Sequence, residues 1–220
     1  MLPRTLEPEI MDSIAEAEEY EAMDHAAVNQ TFALDFLAVG EVGTDCLDLG
    51  TGTALIPIEI CKRNPSIRIM ALDASIAMLE RARYRLELIG EAERIQLHHG
   101  NVHSLVFASN FFDSVISNTL LHHLPNPEKM LAEAWRVLRQ NGLLFIRDLV
   151  RPNSEDEVEK LVELHTLGES NLSKQLLRQS FHAALTLEEI RGTVAELGLP
   201  PSTVQMTSDR HWTLCARRIS

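Results

Sequence analysis

The sequence predicts an α/β protein with a doubly wound, mostly parallel sheet of seven strands and helices on both faces. Two observations predict this fold class. Short apolar runs alternate with segments of helical spacing between residues 46 and 148, and each parallel crossover needs a helix to return the chain. Two strand-like segments, 203–206 and 211–217, then flank a short polar turn. They indicate an antiparallel hairpin at the C-terminal end of the sheet.

The N-terminal part of the chain is predicted to be helical. Apolar side chains recur at three- and four-residue intervals in two stretches before Gly40, so two amphipathic helices should form a cap over residues 1–39. The cofactor-binding core follows at residues 40–148. Its expected strands are 46–49, 67–73, 95–99, 112–118 and 143–148, and its expected helices are 53–63, 75–89 and 127–139.

The alternation of strands and helices breaks after the fifth predicted strand. Residues 149–185 are polar and mainly helical, which predicts a helical substrate cover inserted there. Residues 186–220 open with Thr-Leu-Glu-Glu, the spacing of a capping box, and close with the hairpin. At 220 residues and 45% hydrophobic composition, we expect these parts to form a single domain, 1–220.

Charge and cysteine content limit the possible partners. The formal net charge is −12, and residues 1–30 hold eight acidic side chains and one basic, so neither nucleic acid nor an anionic membrane should be attracted. No apolar run approaches the roughly 18 to 20 residues that span a bilayer. Cys46, Cys61 and Cys215 lie in apolar patterns, which favours buried thiols over disulfides. We expect a cytoplasmic protein.

The stretch "CLDLGTGTALIPIEI", residues 46–60, carries the strongest signal. Ligands of open α/β sheets bind beyond the carboxyl ends of the strands, and Gly50 and Gly52 allow a ligand to approach the backbone closely. Asp73 ends the second strand about 20 residues further on, where a carboxylate can accept hydrogen bonds from a ribose diol. Asp48 would repel a pyrophosphate and attract a cation. The G-x-G-x-x-G fingerprint of dinucleotide-binding proteins is not met in Gly50-Thr51-Gly52-Thr53-Ala54-Leu55.

These residues resemble the class I (Rossmann-like) S-adenosylmethionine-dependent methyltransferases of the small-molecule type. The resemblance runs from about residue 45 to residue 217. It rests on five motifs in the sequence: "LDLGTGTA", "LDASIAML", "HGNVHSL", "FDSVISNTLLHHLPNP" and "LRQNGLLFI". It implies S-adenosylmethionine as cofactor, S-adenosylhomocysteine as product and methyl transfer to an oxygen or nitrogen atom.

The resemblance also implies cofactor-binding residues. Asp48, the backbone of Gly50, Thr51 and Gly52, and Asn118 would face the methionine portion; Asp73 the ribose; Ala74, Met78, Asn101 and Val102 the adenine. Asn101 departs from the acidic residue often found after the third strand, so a weaker adenine contact is expected there. Taken singly, Asp48 and Asp73 could instead cap the helices that follow them.

Two histidines are candidate catalytic residues. Methyl transfer depends mainly on alignment and exclusion of water, but a protonated nucleophile benefits from a general base. His122 and His123 follow the fourth predicted strand, although similar "LHHLPNP" stretches occur in relatives with unrelated substrates. No metal is expected, because His98 and His99 are adjacent on a predicted strand and point to opposite faces.

Residues for the methyl acceptor are expected in the cap and the cover. Tyr20, Arg147, Arg178 and His182 are the candidates. Arg178 and His182 share a helical face with Lys174, although such a face is more commonly a solvated one. After the fourth strand stands Asn118-Thr119-Leu120-Leu121, not the Asn-Pro-Pro turn of enzymes that methylate bases. The acceptor should therefore be a small molecule, and the protein a monomer or homodimer.

Two other functions stay open on the sequence. A non-catalytic regulator could keep the cofactor pocket as a sensor. A dinucleotide-dependent oxidoreductase could use a similar sheet, though Asp48 and the incomplete glycine fingerprint disfavour it.

Overall fold

The computed structural model describes residues 2–7 and 26–219. The described residues form seven α-helices: α1 (Ala26–Ala38), α2 (Leu55–Arg63), α3 (Ile76–Ile89), α4 (Pro127–Val137), α5 (Glu155–His165), α6 (Asn171–Ala183) and α7 (Leu187–Glu196). They form seven strands: β1 (Asp45–Leu49), β2 (Arg68–Asp73), β3 (Ile95–His99), β4 (Phe112–Asn118), β5 (Leu138–Leu149), β6 (Val204–Met206) and β7 (His211–Arg217). Short 3₁₀ turns lie at Leu121–His123 and Pro201–Thr203.

The seven strands form one sheet in the order β3-β2-β1-β4-β5-β7-β6. Strands β1 to β5 pair in parallel, and β7 runs antiparallel to both of its neighbours. The predicted mostly parallel sheet with a C-terminal hairpin is confirmed. From β1 the chain builds one half of the sheet through β2 and β3, then crosses to β4 on the other side. The order therefore reverses between β1 and β4, the position where such sheets bind ligands.

Apolar side chains cover both faces of the sheet. Leu144 belongs to a large cluster that includes Trp212, whereas Phe145 packs on the opposite face with Phe32 and Phe36 of α1. Successive strand residues point to opposite faces, so β5 feeds both clusters. The rings of Phe32 and Phe145 pack edge to face, with their centroids 5.3 Å apart. Helix α1 is thus fixed to the sheet and positions its N-terminal end near the strand ends.

The cover, residues 149–185, has a small core of its own. Helices α5 and α6 pack through five buried apolar side chains: Leu149, Val158, Val162, Phe181 and Ala184. Ser154 and Ser170 cap the two helices by accepting hydrogen bonds from backbone amides. The predicted helical insert after the fifth strand is confirmed. None of the described helices is long and apolar enough to cross a membrane.

The structure describes only parts of the predicted N-terminal cap, residues 2–7 and 26–39. Helix α1 matches the second predicted helix, and the first falls on residues 8–25, outside the described residues. Residues 2–7 are not helical; we call them the strap. Arg4 binds the strap to the domain, donating hydrogen bonds to the carbonyl oxygens of Ala183, His122 and Leu124 at 2.7 to 3.2 Å. These tertiary bonds hold the strap against the domain.

Candidate active site

A cavity of about 130 Å³ lies at the carboxyl ends of β1, β2 and β4, and we call it the loop cavity. Eight of the ten predicted cofactor-binding residues line it: Gly50, Gly52, Asp73, Ala74, Met78, Asn101, Val102 and Asn118. The strand ends stand level, because Leu49 pairs with both Leu72 and Ser117. The loops that follow these strands therefore meet at one edge of the sheet.

The glycine loop after β1 needs its two glycines for different reasons. Both have positive φ, +72° at Gly50 and +55° at Gly52, which side chains rarely adopt. A Cβ on Gly50 would lie 2.8 Å from the Leu120 side chain, whereas one on Gly52 would meet nothing within 4 Å. Gly50 thus permits close packing beneath the loop. Gly52 leaves room for a ligand.

Asp73 joins the glycine loop to the start of α3. One carboxylate oxygen accepts a hydrogen bond from the Gly52 amide at 2.7 Å, and the other accepts from the Ser75 amide at 2.8 Å. Burial raises the pKa of this carboxyl, and these backbone hydrogen bonds oppose the rise. A carboxylate has about four lone-pair sites, so Asp73 retains acceptor capacity toward the loop cavity that it lines.

Asp48 and Thr51 are the two predicted residues that do not line the loop cavity. Asp48 is only 3% exposed and lies under the loop. Burial raises the pKa of its carboxyl to about 7, and the negative charge of Asp73 adds to this rise. A nearby cation would reverse the shift, because it favours the ionised carboxylate. Asp48 can act on a ligand through its charge from beneath the loop.

Asn118 and Thr119 separate the loop cavity from a second cavity. The Asn118 amide nitrogen donates to the Thr119 hydroxyl at 3.3 Å, while its amide oxygen is buried without a hydrogen-bond partner in the described part of the chain. Thr119 has a φ of +52°, a strained conformation for a β-branched residue. An unsatisfied acceptor beside strained backbone marks this junction as a place where a ligand donor fits.

The second cavity measures about 170 Å³ and lies under the cover, so we call it the cover cavity. It shares Asn118, Thr119 and His123 with the loop cavity. Its walls come from α1, from α6 and from the turn before β7. The two cavities therefore adjoin at the end of β4, although they are built from different parts of the chain.

His122 is buried between two carboxylates. Its Nδ1 lies 2.6 Å from Asp148 Oδ1, and its Nε2 lies 3.2 Å from Glu7 Oε1. Burial alone would lower the pKa of His122, but Asp148 and then Glu7 outweigh it and raise the pKa to about 9. His122 is therefore a charged imidazolium at neutral pH, with both ring nitrogens engaged. It cannot accept a proton in this arrangement.

His123 is the more exposed of the two histidines and borders both cavities. Its Nδ1 lies 3.3 Å from Glu7 Oε1. Glu7, His122 and His123 place three potential ligand atoms within 4.8 Å of one another, a group that could hold a metal ion. The ion pair with the imidazolium of His122 balances the charge of Glu7 without a metal. The expectation of no metal stays a prediction.

Of the predicted acceptor-binding residues that the structure describes, Arg147, Arg178 and His182, none lines the cover cavity. Arg147 pairs with Asp35 at 2.6 Å, Arg178 pairs with Glu159 at 2.5 Å, and His182 lies 3.4 Å from Glu155. Tyr20 is outside the described residues. Helix α6 turns another face to the cavity, formed by Ser173, Leu176, Leu177 and Ser180.

Sequence reasoning missed two charged residues at these cavities. Glu7 belongs to the strap and reaches both histidines, and Arg210 belongs to the turn between β6 and β7 and lines the cover cavity. Glu7 lies in an acidic N-terminal region, and Arg210 lies in a polar hairpin turn. Neither position carries a local pattern, so only the tertiary fold reveals it.

Comparison with known proteins agrees with the fold and the loop geometry. Residues 47–146 match a family model described as a methyltransferase domain. The chain is 35% identical over 115 residues to the biotin biosynthesis bifunctional protein BioHC of Teredinibacter turnerae, covering 50% of this chain and 20% of that protein. It is 30% identical over 137 residues to the demethylmenaquinone methyltransferase of Thermotoga maritima, covering 62% and 57%.

A solved structure extends the likeness to the whole fold. The crystal structure of a SAM-dependent methyltransferase from Aquifex aeolicus matches with a TM-score of 0.69 at 14% identity, covering 94% of this chain and 99% of that one. The chain spans less than two thirds of the length of these two curated relatives. The chain therefore contains a region similar to a methyltransferase domain, and its fold is similar to that of a solved SAM-dependent methyltransferase.

Proposed function

We propose that this chain transfers a methyl group from S-adenosylmethionine to a small molecule held in the cover cavity. The observation that carries the proposal is the junction of the two cavities at Asn118, Thr119 and His123. A donor in one cavity and an acceptor in the other would meet there. Methyl transfer needs this arrangement, because the two reacting atoms must come into line.

The residues of the loop cavity suit this cofactor. Open space beside Gly52 admits the methionine portion, and the unsatisfied amide oxygen of Asn118 can accept a hydrogen bond from its ammonium. Asp48 adds a negative charge under the loop, which favours a cationic ligand. Asp73 would hold the ribose hydroxyls, with Ala74, Met78, Asn101 and Val102 around the adenine.

The cofactor supplies a methyl group already activated on a positively charged sulfur. The protein then has to align the acceptor and exclude water. The cover and α1 enclose the acceptor side of the junction. Of the two candidate catalytic histidines, His123 is placed to receive a proton from an acceptor, because it borders both cavities. His122 is held as an imidazolium by Asp148 and Glu7.

The oxidoreductase alternative lacks support from the loop. A dinucleotide would place its pyrophosphate over Gly50 and Gly52, above the buried Asp48. The third glycine of a G-x-G-x-x-G fingerprint would fall on Leu55, so the fingerprint is incomplete. The methyl-accepting cavity likewise favours an enzyme over a sensor that only binds the cofactor, because a sensor needs no second cavity.

Calorimetry tests the cofactor and its residues together. We expect S-adenosylhomocysteine to bind and NAD not to bind. Asp73→Ala should weaken binding by about 1.5 to 3 kcal/mol, the range for charge-assisted hydrogen bonds. Asp156→Ala removes an exposed carboxylate of α5 and should leave affinity unchanged. Tighter binding of NAD than of S-adenosylhomocysteine would contradict the function, and equal affinities for wild type and Asp73→Ala would remove Asp73 from the site.

A further inference from the structure

We propose that Arg210 forms an anion-binding subsite in the cover cavity and that the methyl acceptor carries a carboxylate. This inference rests on the proposed function, because it names the class of molecule that the second cavity takes. It depends on where Arg210 lies in the wall of the cover cavity and on the lack of a counter-charge for it among the described residues.

The backbone of Arg210 is held firmly at the mouth of the hairpin. Its amide donates to the Ser208 hydroxyl at 3.2 Å, and its carbonyl accepts a hydrogen bond from the Val150 amide at 2.8 Å. Val150 follows β5, where the cover begins. The side chain of Arg210 thus starts from a fixed point between the sheet and the cover, and it lines the cover cavity.

Arg210 has no partner for its charge in the part of the chain that the structure describes. Its Nη1 is buried without a hydrogen bond. Burial lowers the pKa of Arg210, and no carboxylate opposes this effect. Two buried arginines do pair with carboxylates: Arg147 with Asp35 and Arg151 with Glu189.

None of the described charged or titratable neighbours neutralises Arg210 in the wall of the cover cavity. Asp209 pairs with His165 at 2.7 Å instead. Glu169 lines the same cavity without an ion pair to Arg210. Burial, and then the positive charge of Arg210, lower the pKa of His211 to about 4, so His211 is neutral at pH 7. A desolvated, unpaired guanidinium favours an anionic ligand.

The position of Arg210 would also determine the orientation of a bound acceptor. The turn before β7 forms one wall of the cover cavity, and the end of β4 forms the wall that borders the loop cavity. A carboxylate bound by the guanidinium would point the rest of the acceptor toward Asn118 and His123. The planar fork of arginine matches a carboxylate in two parallel hydrogen bonds, so the subsite would orient the acceptor as well as hold it.

Binding of small carboxylates to the protein with S-adenosylhomocysteine tests the subsite. The probes are succinate and benzoate, the matching amides succinamide and benzamide, and inorganic phosphate. We expect each carboxylate to bind at least about tenfold more tightly than its amide. Arg210→Gln should weaken carboxylate binding about 10- to 100-fold, the range for hydrogen bonds to charged groups. Binding of S-adenosylhomocysteine should not change.

Arg178→Gln is the matched control, because it removes the same charge from an exposed arginine paired with Glu159. It should leave carboxylate binding unchanged. The inference is overturned if no carboxylate binds more tightly than its amide, if Arg210→Gln binds carboxylates as the wild type does, or if phosphate binds more tightly than either carboxylate. Wild-type protein that fails to bind S-adenosylhomocysteine would instead contradict the proposed function, and the same probes then test Arg210 without it.

Thermal unfolding separates a binding role from a structural one. Replacing an unpaired, desolvated charge by an apolar side chain of similar length should not destabilise the ligand-free protein, so Arg210→Met should keep or raise the melting temperature. Arg147→Met breaks the pair with Asp35 and should lower it. A drop of several degrees for Arg210→Met would mean that Arg210 supports the fold, and the subsite would be abandoned.

Discussion

The loop cavity and the cover cavity adjoin but are built in different ways. The loop cavity is formed by residues that directly follow the strands of one parallel sheet, and backbone hydrogen bonds fix its glycine loop: the amides of Gly50 and Thr51 both donate to the Leu72 carbonyl at 2.9 Å. The cover cavity is assembled from α1, α6 and the last hairpin. The first depends on backbone geometry, and the second depends on side-chain contacts between distant segments.

Because the loop cavity depends on backbone geometry, we expect even the addition of one methyl group to its glycine loop to have a large effect. Gly50→Ala adds a Cβ at 2.8 Å from Leu120 and must hold a φ of +72°. We expect a loss of about 2 to 5 kcal/mol in the free energy of unfolding, from left-handed strain and overpacking together. Urea unfolding measures it.

Gly52→Ala is the matched variant, since it carries similar strain but its Cβ meets nothing within 4 Å. It should cost only about 1 to 2 kcal/mol of stability while weakening S-adenosylhomocysteine binding, because the methyl enters the loop cavity. Equal stability losses for the two variants would show that the Leu120 side chain moves away from the added Cβ without any further loss of stability. An unchanged affinity for Gly52→Ala would place the ligand elsewhere.

The same difference explains what could be predicted from sequence. The sheet and the loop cavity follow from local patterns: strands 95–99 and 112–118 were predicted at their observed bounds, and a carboxylate such as Asp73 at a strand end must face the sheet edge. The existence of the cover followed from a break in the pattern. Its cavity wall did not, because the rotation of α6 about its own axis is set by tertiary packing. Thus Arg178 faces Glu159 and solvent.

Local sequence patterns also could not predict contacts between residues that lie far apart in the sequence. His122 was predicted at the site, yet its protonation state depends on Glu7 and Asp148, which are 115 and 26 positions away. Nothing in the hairpin turn at Arg210 distinguishes it from a solvated turn residue. The burial and missing counter-charge that make it informative exist only in the folded protein.

The contact between Glu7 of the strap and His122 can be tested by substitution. Glu7→Gln removes one of the two carboxylates that hold the His122 imidazolium, and we expect a loss of about 1.5 to 3 kcal/mol in the free energy of unfolding at pH 7. Asp209→Asn is the control, because it alters a more exposed histidine–carboxylate pair with His165. Exposed pairs contribute about 0 to 1 kcal/mol.

The pH dependence of this loss has a definite sign. The folded pKa of His122 is raised from 6.5 to about 9, so the folded protein binds a proton more tightly than the unfolded chain does. The resulting stability is fully present below pH 6.5 and disappears as the pH rises through about 9. The difference between wild type and Glu7→Gln should therefore shrink from pH 6 to pH 9.5. A constant difference would mean that Glu7 acts through packing and not through His122.

The smallest expected effect concerns the motion of the cover, and hydrogen exchange measures it. Among the described residues, five buried apolar side chains form the core of α5 and α6, whereas large clusters bury both faces of the sheet. Segments with little buried apolar area open at lower free energy than the global unfolding. The amides of α1 and of residues 149–185 should therefore exchange faster than those of β1 and β4.

Ligand binding should reduce this difference in amide exchange rate, because a cover that admits an acceptor must open and then close over it. With S-adenosylhomocysteine and succinate together, we expect α6 to gain more protection than the sheet, and Arg210→Gln should remove the part that succinate adds. Protection in the cover equal to that of the central strands, and unchanged by either ligand, would mean that the cover is fixed structure. The acceptor would then have to enter along α1 or the hairpin, and the second cavity would be as rigid as the first.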